Sequence, residues 1–124
     1  MKKVLVFLLV VGSCLACEDE LTQEQEIENL QTLLTEIERL AASVECTNAR
    51  EWAVTAYGSK ACGGPIGFIA YSTTIDTEYF LEKVIEYTSA QEAYNKRWNV
   101  VSDCAAQVPP TGVQCQGGSP VFIY

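Results

Sequence analysis

The sequence predicts an α+β fold: a single small domain, with a long N-terminal amphipathic helix packed on a small antiparallel sheet, one or two further helices, and two disulfides. Three observations carry this expectation. Apolar residues between Ile27 and Val44 recur at helical spacing. Short apolar and aromatic runs after residue 51 are punctuated by Gly and Pro. Four cysteines, Cys46, Cys62, Cys104 and Cys115, are spread through a chain of 124 residues.

The first helix is the clearest element. Ile27, Leu30, Leu34, Ile37, Ala41 and Val44 are spaced 3, 4, 3, 4 and 3 apart, and Leu33 and Leu40 widen the stripe. That spacing places them on one face of a helix. Thr22 followed by Gln25 is a capping-box pair, and early glutamates suit the positive end of the helix dipole. Cys46 is expected to end the helix. The stripe is short for a coiled coil, so it is expected to pack on the domain's own core, giving a monomer rather than a helix-paired dimer.

Glu51 to Tyr57 then reads as a strand, with Trp52, Val54 and Ala56 on one face and Thr55 and Tyr57 on the other. Gly58 to Pro65 carries three glycines and a proline and must be a tight loop. Ile66 to Ser72 is a strand or a short buried helix; periodicity alone does not choose. A second helix is expected to start near Asp76 or Thr77, with Phe80, Leu81, Val84, Ile85 and Tyr87 or Thr88 facing the core and Tyr94 and Trp98 extending that face. Ser89 and Glu92 form a second capping-box pair, which predicts a new or kinked helix there. Asn99 to Cys104 reads as extended, Pro109 to Gly112 as a turn, and Val113 to Tyr124 as a hairpin turning at Gln116–Ser119.

Four cysteines allow three pairings. The local pairing, Cys46 with Cys62 and Cys104 with Cys115, is the expectation. A four-thiolate zinc site would bring cysteines in pairs two to four residues apart. Here 15, 41 and 10 residues intervene, so no metal is expected.

The chain opens differently from its body. Lys2 and Lys3 precede an unbroken apolar run from Val4 to Val11, followed by the small residues Gly12, Ser13 and Ala16. A basic start, a short apolar run and a small-residue zone describe a secretory leader. The run is too short for a membrane-spanning helix, which needs about 20 residues. Two cysteines, Cys14 and Cys17, stand in the small-residue zone. These first residues resemble those of bacterial lipoproteins, in which a small apolar box precedes the cysteine that receives the lipid. The resemblance implies cleavage before that cysteine and anchoring by acyl chains. Val11-Gly12-Ser13 precedes Cys14, and Leu15-Ala16 precedes Cys17, with Cys14 where the class usually has Leu. Cys17 is the expected site and Cys14 the alternative: Cys17 gives a leader of ordinary length and leaves an even set of cysteines behind. The expected organisation is a leader over 1–16, a short acidic tether over 17–22 and a disulfide-stapled domain over 23–124. The K-A-C-G-G-P string, Lys60 to Pro65, also resembles small exported lipoproteins of no assigned activity.

Charge and composition narrow the function classes. Eight basic residues face sixteen acidic ones, which does not suit nucleic acid, whose binding rests on Lys and Arg at phosphates. Membrane attachment is then expected through covalent lipid and not through a basic patch. The chain has no histidine, which removes the usual general base and Ser-His or Cys-His nucleophile systems. No catalytic residue and no cofactor is expected. The segment specified beyond packing is the loop over 58–65. Trp52, Tyr57, Lys60, Gly63, Gly64, Pro65, Phe68 and Tyr71 are the candidate recognition residues, with the aromatics as a rim. The expected function is a non-catalytic binding or structural module of the cell envelope, with an envelope protein as partner. The alternative is a secreted peptidase inhibitor that presents Lys60 from this loop.

Overall fold

A computed structural model describes residues 19–124. The leader, Cys14 and Cys17 lie outside the described residues. The first helix, α1, spans Gln23–Ala41. Its capping box forms as the sequence indicates: Gln25 N–H donates to Thr22 Oγ1 at 3.2 Å, and Thr22 N–H donates to Gln25 Oε1 at 2.9 Å. It ends a turn earlier than its apolar stripe suggests. Ser43 turns its N–H and its hydroxyl onto the Leu40 carbonyl, at 3.2 and 2.7 Å. The chain then leaves so that Cys46 N–H reaches the Gly118 carbonyl at 2.9 Å.

A single 3₁₀ turn, Ala49–Glu51, leads into β1, Trp52–Tyr57. β1 pairs antiparallel with β2, Gly67–Ser72, in the register Trp52↔Ser72 to Tyr57↔Gly67. Ile66 to Ser72 is thus a strand, apart from its first residue. The second helix, α2, spans Thr77–Arg97 and starts at Asp76, whose carboxylate accepts from Tyr79 N–H at 3.1 Å. It runs through Ser89 unbroken. Glu92 does not reach back to cap Ser89; it reaches forward to Lys96 Nζ at 2.8 Å, an ordinary pair one turn on. The expected break is therefore absent. The predicted face is also narrower than expected, because Ile85 points outward, 66% exposed. Residues 100–110 carry no strand partner. Last, β3, Gly112–Gln116, and β4, Ser119–Ile123, form the predicted hairpin. Gly117 and Gly118 both have positive φ, 58° and 81°, as the two-residue turn with matching twist requires.

The order is thus α1, β1, β2, α2, β3, β4, with two separate two-stranded sheets. Strand alternation gives β1–β2 two apolar faces, and each has its own cover. Tyr57, Ile69 and Tyr71 face the helices and join Ile37, Phe80, Val84 and Tyr87, with Leu30, Leu33, Leu34 and Leu40 around them. Trp52 and Ala70 face the other way and pack with Cys46, Val113, Cys115 and Phe122. Burying a side chain such as Phe80 or Ile37 stabilises the fold by roughly 2–3 kcal/mol each. Of the α1 stripe, Leu30, Leu33, Leu34, Ile37 and Leu40 pack in this core, while Ile27 stays 49% exposed.

The disulfides correct the expected local pairing. Cys46 joins Cys115, and Cys62 joins Cys104, with Cα atoms 5.2 and 5.5 Å apart. The reason is the length of β1. Cys46 enters at its Trp52 end and Cys62 lies beyond its Tyr57 end, and the five residue steps between those ends span about 17 Å. Each cysteine therefore pairs with what lies at its own end of the sheet. Two disulfides in a domain of this size fit an oxidising, extracytoplasmic environment. Among the described residues no helix is long and apolar enough to cross a membrane.

Candidate functional site

The loop between β1 and β2 is built by three sets of contacts. Ile66 N–H closes its base on the Tyr57 carbonyl at 3.0 Å. Its tip is a tight turn: Gly63 N–H donates to the Lys60 carbonyl and Lys60 N–H to the Gly64 carbonyl, both at 2.9 Å. Its flank is held by α2. Gly58 N–H donates to Thr88 Oγ1 at 3.0 Å, Ser59 N–H to Gln91 Oε1 at 2.7 Å, and Asn95 Nδ2 to the Ser59 carbonyl at 2.7 Å. Thr88, Gln91 and Asn95 are three and four residues apart, so they form one polar row along the helix. These partners satisfy backbone groups that a half-buried loop cannot leave bare.

The other flank is the segment after α2. Asn99 adopts φ 49°, the left-handed conformation that stops a helix. The chain then passes alongside the loop tip, where Cys104 is bonded to Cys62 and Ser102 Oγ lies 3.4 Å from Cys62 N–H. Lys60 Nζ donates to Asp103 Oδ1 at 2.8 Å and to the Ala105 carbonyl at 2.9 Å. The Lys60 ammonium, helped by Ala105 N–H, holds the Asp103 carboxyl below the usual carboxylate range.

The predicted recognition residues divide sharply. Gly63 and Gly64 are exposed at the tip with Ala61 and Cys62, and Pro65 is half-buried. Lys60 is not displayed: only 11% of its side chain is exposed, and its ammonium is spent on Asp103 and Ala105. It is not the free basic side chain that an inhibitor loop would offer a protease. The aromatics make no rim. Tyr71 packs on Phe80 with ring centroids 4.7 Å apart, and Tyr57 lies 6.2 Å from Tyr87, both on the helix side of the sheet. Trp52 and Phe68 sit on or beside the opposite face, Phe68 near Phe122 and Pro120. Burial among these rings also pushes the Tyr87 hydroxyl above the ordinary tyrosine range.

Sequence reasoning missed the residues that hold the loop: Thr88, Gln91, Asn95, Ser102 and Asp103. The spacing of the first three was visible, because it interrupts an otherwise apolar helix face with polar side chains at helical intervals. Beside the tip, Ala61, Glu92, Asn95, Lys96, Asn99 and Val100 line an open cleft of about 490 Å³. It offers carboxylate, ammonium and amide groups side by side. Among the described residues no group of three or more His, Cys, Asp or Glu side chains is placed to hold a metal ion, and all four cysteines there are in disulfides. The arrangement can present a rigid backbone turn and a polar cleft to a ligand at little conformational cost. Comparison with known proteins finds no matching family model, no matching curated protein and no matching solved structure.

Proposed function

We propose that the chain is an exported, lipid-anchored binding module of the cell envelope that works by recognition and not by turnover. Its lipid is carried on Cys17, and its binding surface is the tip Ala61–Gly64 with the adjoining polar cleft. One observation carries the reading. The pairs Cys46–Cys115 and Cys62–Cys104 use every cysteine of the domain, so Cys17 is free for a different chemistry and no odd thiol is left once the leader is removed. The loop supports the recognition half, because helix, disulfide and ion pair restrain it on three sides while its tip stays exposed.

Intact mass spectrometry of the membrane-extracted protein tests the anchor. The expected product begins at an acylated Cys17 and gains the mass of four hydrogens, two for each disulfide, on treatment with thiol. A product that begins at Met1 with free thiols would overturn the reading. For recognition, a photo-crosslinking residue in place of Ala61 is expected to capture a defined envelope component in cells. The same residue at Thr32, on the exposed face of α1, should not. Equal capture from both positions would count against the loop.

A further inference from the structure

The chain's contacts immediately after Cys17 fix which end of the domain an anchor holds. Arg97, in the last turn of α2, binds Glu26 Oε1 at 2.7 Å, the Leu21 carbonyl at 3.2 Å and Glu20 Oε2 at 3.4 Å. The Trp98 indole N–H donates to Glu26 Oε2 at 2.6 Å, and Gln23 Nε2 donates to the Tyr94 hydroxyl at 3.0 Å. Part of the span read as a tether is thus bound to the domain. Only residues 18 and 19 separate Cys17 from Glu20, and three residues of extended chain reach about 11 Å at most.

That end also has the composition of a surface at a membrane–water boundary. Leu21 is 44% exposed and Val101 is 91% exposed. Val101 lies three residues from Trp98, again within about 11 Å along the chain. The Arg97 guanidinium lies 5.3 Å over the Trp98 ring, and Lys96 is exposed beside it. Apolar tips, an indole with its N–H satisfied, and long basic side chains are what headgroup depth accommodates. Carboxylates are exposed at this end too, Asp19, Glu20 and Glu24, and Glu28 and Glu38 continue along the flank of α1, so it is the short span from Cys17, and not charge, that selects the end-on orientation.

We propose that the domain stands end-on at a phospholipid surface. The start of α1 and the end of α2, with Leu21, Trp98 and Val101, rest on the bilayer. The tip Ala61–Gly64 and its cleft, which takes Lys96, Asn99 and Val100 from this end, open at the same surface, so their ligand is met at the membrane. The end carrying Cys46–Cys115 points away. This inference rests on the reading of Cys17 as the lipidated residue. From Glu26 to Ala41, α1 rises about 22 Å, and Trp52 packs with Cys46 just past its far end. The two tryptophans of the chain therefore report the two ends.

The test uses acylated protein in vesicles of phosphatidylethanolamine and phosphatidylglycerol that contain a lipid with a nitroxide headgroup. Trp52→Phe leaves Trp98 as the sole indole, and Trp98→Phe leaves Trp52. Mass spectrometry first reports whether Cys17 is acylated; its failure sinks the anchoring reading, separately from the orientation. With acylation present, Trp98 should be quenched at least about threefold more than Trp52, given their separation of about 22 Å or more. Equal quenching, or stronger quenching of Trp52, overturns the proposal, as would a second protein covering this end and shielding Trp98. Hydrogen exchange of the unsubstituted protein gives a readout that no variant can spoil. Vesicles should slow exchange over residues 98–102 and leave 45–52 unchanged; the reverse pattern, or no change at either end, overturns the orientation.

Discussion

Gly58 is where β1 must give way to the loop, and the backbone leaves no room for a side chain there. Its φ is +75°, and an added Cβ would lie 2.3 Å from Ile66 Cγ1 and 2.7 Å from Gln91 Oε1. Positive φ is open to glycine at no steric cost and strained for alanine. Gly58→Ala also pushes Gln91 off Ser59 N–H, so backbone strain and a lost hydrogen bond act together. The expected loss is about 2–4 kcal/mol, read as a fall in the urea midpoint at unchanged slope. Gly63→Ala is the control: its added Cβ meets nothing within 4 Å, so only the strain of its own φ remains and the loss should be smaller. Asp103 gives a second prediction at this scale. Its carboxyl is held low by Lys60. A carboxyl depressed on folding stabilises the native state above its unfolded value, near 3.9, and the contribution disappears as pH falls through the folded value. Loop pinning should therefore be complete at neutral pH and weaken only in acid below about pH 4. Carboxyl NMR should show Asp103 titrating below an ordinary aspartate, and Lys60→Met should return it to the ordinary range; titration unaffected by Lys60→Met would mean the ion pair is not formed in solution.

At the scale of elements, the antiparallel contact of α1 and α2 is closed at one end by Glu26. Its two oxygens serve different partners, Arg97 at 2.7 Å and the Trp98 indole at 2.6 Å. Glu26→Leu removes both acceptors and strands a half-buried indole N–H, which should cost about 2–3 kcal/mol; Glu26→Gln keeps one acceptor and should cost about half as much. Thermal unfolding of the two variants checks the order, and equal losses would count against the indole bond. This clamp also marks the limit of what was legible from the chain. Elements announced by local pattern were readable: the Thr22 cap, the apolar stripe of α1, the alternation in β1, and the Gly117–Gly118 hairpin. Long-range polar partners were not, because nothing local to Glu26 distinguishes it from Glu24 or Glu28 on the same helix. The same holds for Ser89 and Glu92. Their spacing states a cap in isolation, but the helix had already begun at Asp76, so their backbone groups were satisfied and Glu92 turned to Lys96. Of the candidate loop, the tip was legible from its glycines. The fate of its aromatics was not, because alternation tells which residues share a face and not what covers it. Both faces of β1–β2 turned out to be covered.

For the whole molecule, the two disulfides tie down opposite ends of one sheet, and they differ in accessibility more than in the chain entropy they remove. Cys46–Cys115 spans 69 residues and Cys62–Cys104 spans 42. In the loop-closure picture both contribute about 4 kcal/mol, within half a kcal/mol of each other, so entropy alone predicts little preference under reduction. Burial separates them. Cys46 is 2% exposed and sits in a core with Trp52 and Phe122, whereas Cys62 and Cys104 are both exposed at the loop tip. A thiolate must approach a sulfur to displace it, so mild thiol should open Cys62–Cys104 first and populate a form that keeps Cys46–Cys115. That form should lose the fixed tip while Lys60–Asp103 and the Thr88, Gln91 and Asn95 contacts still hold the loop's flanks. Its far-UV circular dichroism should stay close to native, while hydrogen exchange over residues 60–64 and 100–106 rises. Opening Cys46–Cys115 frees the hairpin β3–β4 from the face that holds Trp52, so a red shift of indole emission should come only with the second step. Alkylation of partly reduced protein followed by peptide mass mapping gives the order directly. If Cys46 and Cys115 are labelled first, burial does not govern access, and the sheet face carrying Trp52 must open more readily than the loop.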